Sequence, residues 1–408
     1  MKFPKNGLLE ADKELFKLGK SVEIVDHLVW KPTVRDKFLK NWTKGNKTLP
    51  QVTLPKVRFE DDLSALKSIM RRSDRKHPLG MLVYETAQSY SLALQMIESV
   101  GTKRFTALSQ RLYGSPDDQI GKLEVTTKRA ATFFLSASKK FSHVLKAIES
   151  DYCIMPEHVV QEIKKTAKRV FKDRDITVKV DPKLAAKATA GPSRVRVRSG
   201  TCFAKHDIDQ LINHELLVHT LTLLNGRKQK LKTLGLNSPR TTRTQEGLAV
   251  FAEFITSAID MHRLRRISAR VRAVEMGLNG ADFIEVFEFF LKQGQDETES
   301  FHSAQRIFRG GKVHGGVVFT KDIVYLRGFI EVHRFFLNAL RDEHFMYPHY
   351  LFSGRVRTQD IELLEPYYLA EYLKAPHYEP DWIQNRSTLL AFLLSSSMMT
   401  KLGLSKVG

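Results

Sequence analysis

Cysteine is nearly absent: Cys153 and Cys202 are the only two among 408 residues, which excludes a disulfide framework and a zinc site built from several thiolates. A reducing compartment is the expectation. Long apolar runs are missing as well. The most apolar late stretch, residues 387 to 399, is shorter than the ~20 residues that cross a bilayer, and it reads as a buried helix. The N-terminal run MKFPKNGLLEADKELFK interleaves charged and apolar residues and has no apolar core of a signal peptide. A cytoplasmic location without a membrane span is therefore expected. Acidic residues are outnumbered, 45 Asp and Glu against 65 Lys and Arg, so the net charge is +20. That excess attracts acidic peptides, nucleic acid or anionic lipid without choosing among them. The chain lacks the aromatic-interleaved patch or helix-turn-helix pattern that would favour nucleic acid. Internal repeats are also absent.

What is present is a globular composition, 42% hydrophobic and 27% charged, organised mainly by helical periodicity. Residues 59–76, 79–100, 103–113, 126–150 and 157–171 carry apolar residues at helical spacing. The period then changes. Ile176–Val180 and Val195–Ser199 alternate apolar and polar residues as half-buried strands do, separated by the Gly191-Pro192 break. Helical spacing returns over 207–224, 244–260, 262–276, 281–292, 298–308 and 320–343. Residues 226 to 244 are polar and basic, with Gly235, Asn237 and Pro239, and read as a loop between two helices. These patterns predict an α+β fold, mainly α-helical, with a small sheet just before residue 205. The arginines of 194–198 share one side of their strand, and the strand is expected at a sheet edge where an extended peptide could pair. Arg263, Arg265, Arg266, Arg270 and Arg272 read as a solvated helix face.

Chemistry concentrates at His214-Glu215-Leu-Leu-Val-His219. Burying two imidazoles and a carboxylate on an apolar helix costs several kcal/mol unless they are partnered, and a zinc ion is the partner such groups suit. One histidine on an apolar helix is ordinarily a core residue; two at this spacing with Glu directly after the first are not. The spacing is i, i+5 rather than the i, i+4 of the common zinc helix. On a regular helix these rings diverge by roughly 140°. A shared ion therefore requires a wide turn or bulge between Leu216 and Val218. Catalytic zinc takes three protein ligands, and Thr244-Gln-Glu-Gly-Leu-Ala249 offers Glu246 at the opening of the next helix. Gly247 beside it allows another backbone to come close. Glu253, seven residues on and on the same face, is placed to hydrogen-bond a ligand histidine.

The runs HELLVHTLTLLNG (214–226) and TTRTQEGLAVFAE (241–253) resemble the bacterial QEGLA-motif proteins, described as flavohemoglobin expression modulators. These look related to the eukaryotic tubulin tyrosine carboxypeptidases with an HExxxH motif. GTKRF (101–105), QRLYG (110–114) and FRGGKVHGGVVFTKDIVYLRG (308–328) extend the resemblance over roughly residues 60 to 370. It implies a gluzincin-like metallopeptidase with His214, His219 and Glu246 as zinc ligands and Glu215 as general base. Through the eukaryotic relatives it implies carboxypeptidase activity. One departure is Val250, at a position where gluzincins often carry an acid. Within the last block, Tyr325 is the candidate oxyanion donor, Lys321 or Arg327 could hold a substrate carboxylate, and His314 lies between glycine pairs on a candidate substrate loop. The division that follows is an N-terminal extension over 1–56, a helical region over 57–175, a zincin-like catalytic domain over 176–375 and a C-terminal helical tail over 376–408. An endopeptidase with the same centre, or a regulatory protein with a structural zinc site, stands as the alternative.

Overall fold

Short capping signals start many of the helices. Asp296 accepts from the Glu299 amide at 2.7 Å, and Asp282 and Glu285 cap one another's amides reciprocally at 2.8 and 2.9 Å. Pro32, Pro78 and Pro156 each open a helix in its first turn, where a missing N–H costs nothing. Once started, each helix buries one stripe: Pro156–Val170 turns Val159, Val160, Ile163 and Ala167 inward. The structure is a computed structural model, and it describes residues 4, 6–22, 24–54, 56–121, 123–141, 153–182, 184, 187–191 and 193–401. The helix expected over 126–150 runs over Thr127–Lys140, and its predicted end from 142 on lies outside the described residues. So do Pro192 and residues 402–408 of the expected tail.

The architecture is α+β and mainly helical, with one three-stranded sheet ordered β1 (Thr177–Asp181), β3 (Arg194–Arg198), β2 (Ala188–Ala190). β1 and β3 run parallel with Val178 opposite Val195 and Val180 opposite Val197, while β2 pairs antiparallel on the other side of β3. The arginine strand is thus central, which corrects the expectation of an edge. Of its arginines, Arg196 pairs with Asp181 at 3.2 Å and Arg198 with Glu299 at 2.8 Å. β2 is the strand that lies against the helix of the two histidines, where Thr220 donates to the Gly191 carbonyl at 3.2 Å.

One continuous apolar core draws residues from Leu8 to Leu393. A second cluster stacks Trp30 and Phe38 on Phe283, Phe287 and Phe301. The C-terminal stretch is half-buried rather than buried: Leu389 and Leu393 face the core while Leu390 and Leu394 face solvent. Among the described residues no helix is long and apolar enough to cross a membrane. Cys153 and Cys202 are bonded to each other across 49 residues of chain, a pairing that their small number gave no reason to expect. The bond sits beside the isolated bridge between Ile154 and Phe203, just ahead of the histidine-bearing helix.

Candidate metal centre

The histidine helix begins at Lys205–Leu211, continues without interruption as a π-helical segment (Ile212–Thr220), and ends as Leu221–Arg227. Residues five apart lie over one another where hydrogen bonds run from i to i+5, so the predicted distortion extends over the whole motif. His214 and His219 face each other with ring centroids 4.8 Å apart. Three contacts hold the widened turn. Arg355, a buried guanidinium from a later loop, donates to the His219 carbonyl at 2.9 Å. Thr222 donates to the Val218 carbonyl at 2.7 Å and also bonds Gln245 at 2.9 Å, which registers this helix against Thr242–Ile255.

That second helix, the glutamate helix, brings Glu246 to the two rings: its Oε2 lies 3.4 Å from His214 Nε2 and 3.5 Å from His219 Nε2. An ion about 2.0–2.1 Å from each of two tetrahedral donors holds them roughly 3.3 Å apart, so both histidine–carboxylate edges fit one cation. All three donor atoms lie within 4.8 Å of one another. Glu246 gets so close because Gly247 meets the backbone of Gly328 on the tyrosine helix (Ile323–Arg341); a β-carbon there would sit 2.1 Å from the Gly328 carbonyl carbon. The expected close approach is therefore made to the tyrosine helix.

Glu253, one further stripe position along, is fully buried and lies 2.6 Å from His214 Nδ1. An ionised carboxylate only accepts, so Nδ1–H donates and the Nε2 lone pair is left for a ligand role. Glu253 also accepts from Gln210 at 3.1 Å and from Arg263 twice at 3.1 Å. Burial alone would raise its pKa, but Arg263 and His214 hold it down at about 2. For Glu246, burial is likewise outweighed, by Lys321 and the two imidazoles, and the carboxyl titrates well below the ordinary range. Burial presses both imidazoles toward neutrality. At His214 the Glu246 and Glu253 carboxylates reverse it and raise the pKa to about 10, whereas His219 stays below the ordinary value. The donor set demands positive charge between the rings. His219 Nδ1 is buried without a hydrogen-bond partner among the described residues.

Glu215 makes no hydrogen bond or ion pair among the described residues. It lines, with His214 and Tyr325, a cavity of about 130 Å³, while His219, Glu246, Lys321 and Arg355 line a larger one of about 480 Å³. The donor cluster stands between the two. Part of the larger cavity's wall comes from Gly19, Lys20, Val22, Ile24, Val25 and Asp26 of the N-terminal segment, whose helix is fastened by the buried Asp12 carboxylate accepting from the Lys232 and Thr233 amides at 2.6 and 2.8 Å.

Lys321 comes to the cluster, 3.5 Å from Glu246 Oε1. Tyr325 comes to the smaller cavity, where its hydroxyl accepts from Arg306 at 3.3 Å. Arg327 does not: two positions past Tyr325, it lies about 200° around the helix, pairs with Asp118 at 2.6 Å and Glu331 at 3.0 Å, and lines a separate cavity. His314 sits exposed on its glycine-flanked turn and lines none of these cavities. The arginine stripe is the largest departure from expectation. On the helix Met261–Leu278, Arg263, Arg266 and Arg270 point into the smaller cavity instead of solvent. Spacing alone gives their common face and leaves its direction open, and no sequence pattern singles out Arg355.

A mainly helical fold with two histidines and a glutamate poised on one point defines a protein with a candidate cation centre between two clefts. Residues 36–401 match the microtubule-associated tyrosine carboxypeptidase family, and the chain belongs to that family. Membership makes it a carboxypeptidase-like peptidase whose substrate is a peptide or protein. No curated protein matches the chain.

Proposed function

We propose that this protein is a zinc-dependent carboxypeptidase of the gluzincin type, with His214, His219 and Glu246 as ligands and Glu215 as general base. The observation that carries the reading is the convergence of three donors of the right chemistry on one point, with an unengaged carboxylate adjacent in sequence. The bound ion would act as a Lewis acid that makes water acidic near neutral pH. Glu215 takes a proton from the attacking water and passes it to the leaving amine, a role open to it because no group among the described residues bonds its oxygens. Glu253 fixes the His214 tautomer, and Lys321 steadies Glu246. Tyr325, whose ring lies among the cations Arg263, Arg306 and Lys321 and whose hydroxyl accepts from Arg306, serves through that hydroxyl as donor to the developing oxyanion. The smaller, basic cavity on the Glu215 side favours an exopeptidase over an endopeptidase, because a peptide chain that enters it ends among arginines. The HELLVH and TQEGLA runs support a place among the QEGLA-motif proteins.

Metal analysis of the wild type and His214→Ala, with mass spectrometry of a peptide library, tests this reading. About one zinc per chain, its loss in His214→Ala, and stepwise removal of C-terminal residues that Glu215→Gln abolishes are the expected results. Cleavage that survives Glu215→Gln refutes the mechanism.

A further inference from the structure

Arg355 is a buried cation at the histidine turn, 6% exposed, and it makes no ion pair among the described residues. Two hydrogen bonds fix its place. Its backbone amide donates to the Leu234 carbonyl at 2.7 Å, and its Nη2 donates to the His219 carbonyl at 2.9 Å. A guanidinium carries five N–H donors, so that single side-chain bond leaves most of them unused, and Nε is buried with no partner among the described residues. Gln245, 2% exposed, repeats the pattern: its Oε1 accepts from Thr222 at 2.9 Å, while its Nε2 is buried and unpartnered. Both side chains line the larger cavity. What they have left to offer it is N–H donors alone, and a buried donor that stays unpaired is costly. This part of the wall suits a ligand that brings oxygen acceptors.

An extended peptide brings one main-chain carbonyl oxygen per residue, about every 3.3–3.6 Å. A substrate whose C-terminal end lies in the smaller cavity passes the donor cluster and leaves through the larger one, so the residues before the scissile bond lie along Arg355. The larger cavity, about 480 Å³, falls in the roughly 300–1,000 Å³ range of ordinary ligand sites. Exposed Lys20 and Asp26 belong to its wall and give the rest of the peptide a way out to solvent. Resting on the carboxypeptidase reading above, we propose that Arg355, together with the Gln245 side-chain amide, holds a main-chain carbonyl of the substrate upstream of the scissile bond. The contact reads length rather than side chains, because every residue brings the same carbonyl. Arg355 also holds the His219 carbonyl, so a peptide bound to it is placed in register with the donor cluster.

The experiment uses the zinc-loaded full chain and two peptides ending in Xaa, the residue that the wild type releases fastest from the library above. Acetyl-Xaa has no carbonyl before the scissile one; acetyl-Ala-Ala-Ala-Xaa has three. The longer peptide is expected to show a kcat/KM about tenfold or more higher, the scale of one hydrogen bond from a charged donor, with the gain carried mainly by KM. In Arg355→Met the gain should shrink to about threefold or less, and Arg355→Lys should restore part of it. Damage to the histidine turn from the lost His219 contact lowers both peptides alike and cancels in the ratio. Each upstream amide of the longer peptide is then replaced in turn by an (E)-alkene, which keeps the shape and removes the carbonyl oxygen. One replacement should lose about tenfold in the wild type and nothing further in Arg355→Met; the wild-type half of this scan holds even where Arg355→Met does not fold. No dependence on length, a gain unmoved by Arg355→Met, or a flat alkene scan in the wild type each overturns the proposal. A second arm measures binding of fluorescein-labelled tetra-alanine and its alkene analogues to Glu215→Gln and to Glu215→Gln with Arg355→Met. If no peptide is cleaved at all, the carboxypeptidase reading fails. Weaker binding of one alkene analogue to Glu215→Gln alone would then leave the Arg355 contact standing, and equal binding would remove it as well.

Discussion

Replacing Gly247 with alanine puts one methyl group where two helices touch. In the native packing that methyl would lie 2.1, 2.3 and 2.6 Å from the carbonyl carbon, carbonyl oxygen and α-carbon of Gly328. Carbon atoms sit comfortably at about 3.5–4.0 Å, so the glutamate and tyrosine helices must separate by roughly 1 Å or more. All the clashing atoms are backbone, and no side chain can swing away to relieve them. Overpacking of this kind costs about 1–3 kcal/mol and sometimes more, while alanine's helix propensity returns at most about 1 kcal/mol. A net loss of about 2 kcal/mol is expected, read from urea unfolding in the presence of chelator so that metal binding does not enter. The functional loss should be larger. Glu246 immediately precedes Gly247, and a site displaced beyond about 0.5 Å from its productive geometry fails, so zinc affinity in a competition titration should drop by about tenfold or more. Gly7→Ala, which meets nothing within 4 Å, is the control. A Gly247→Ala protein with native stability and native zinc affinity would refute the claim that this crossing positions Glu246.

Glu253→Gln removes the negative charge that faces His214 and leaves Arg263 as an uncompensated buried charge; stability should fall by about 3–5 kcal/mol and zinc affinity by about 10- to 100-fold, and unchanged values in unfolding and chelator competition would count against the assigned contact. Asp12→Ala strands two amides, the buried one of Thr233 and the half-buried one of Lys232, which costs about 2–4 kcal/mol; denaturant midpoints equal to wild type would exclude that fastening. The His206–Asp260 pair, 2.8 Å apart, sets a pH dependence. Asp260 hydrogen-bonds His206 and raises its pKa in the folded state, so its contribution is full below the unfolded value of 6.5 and fades as pH rises through the folded one. Asp260 is held down at about 2, chiefly by His206 and the Arg263 amide against the opposing effect of burial, so its contribution is full above 3.8 and fades only as pH falls through about 2. His206 is nearly half exposed, so His206→Gln should cost only about 0.5 kcal/mol near pH 5 to 6, and less near pH 9; a melting-temperature deficit that grows with pH would contradict the pairing.

The residues legible in the sequence were those whose spacing carries geometric information. An i, i+5 pair of histidines can share a point only on a widened turn, and the π-helical segment over Ile212–Thr220 answers that requirement. Glu253 was legible because seven residues make two turns, which keep it on the face of Glu246. What escaped depended on partners far away in the chain. The arginines at 263, 266 and 270 form the same stripe whether it faces water or a cavity, and only the packing of neighbouring helices decides. β2 is three residues long, too short for alternation to show, so β3 read as an edge. Lys321 falls within the helix expected over 320–343, yet the helix starts at Ile323 and Lys321 reaches Glu246 from the preceding turn.

Charge explains why this arrangement belongs inside a protein that is otherwise packed with aromatic and aliphatic side chains. Glu215, Glu246 and Glu253 place three carboxylates around the paired imidazoles. Arg263 and Lys321 answer two of them, through Glu253 and Glu246. The third, Glu215, has no partner among the described residues, although cationic side chains were plentiful: Arg263, Arg266, Arg270 and Arg306 all line its cavity. Had burial alone governed the placement, one of those guanidiniums would have closed on it, since a carboxylate–arginine pair is the strongest hydrogen-bonded contact available there. Instead Arg306 is pinned by Asp322 and Arg263 by Glu253, and both are held off Glu215. Carboxylates next to the cavity thus do two jobs: they compensate cations, and they keep those cations away from Glu215, the acid proposed above as general base.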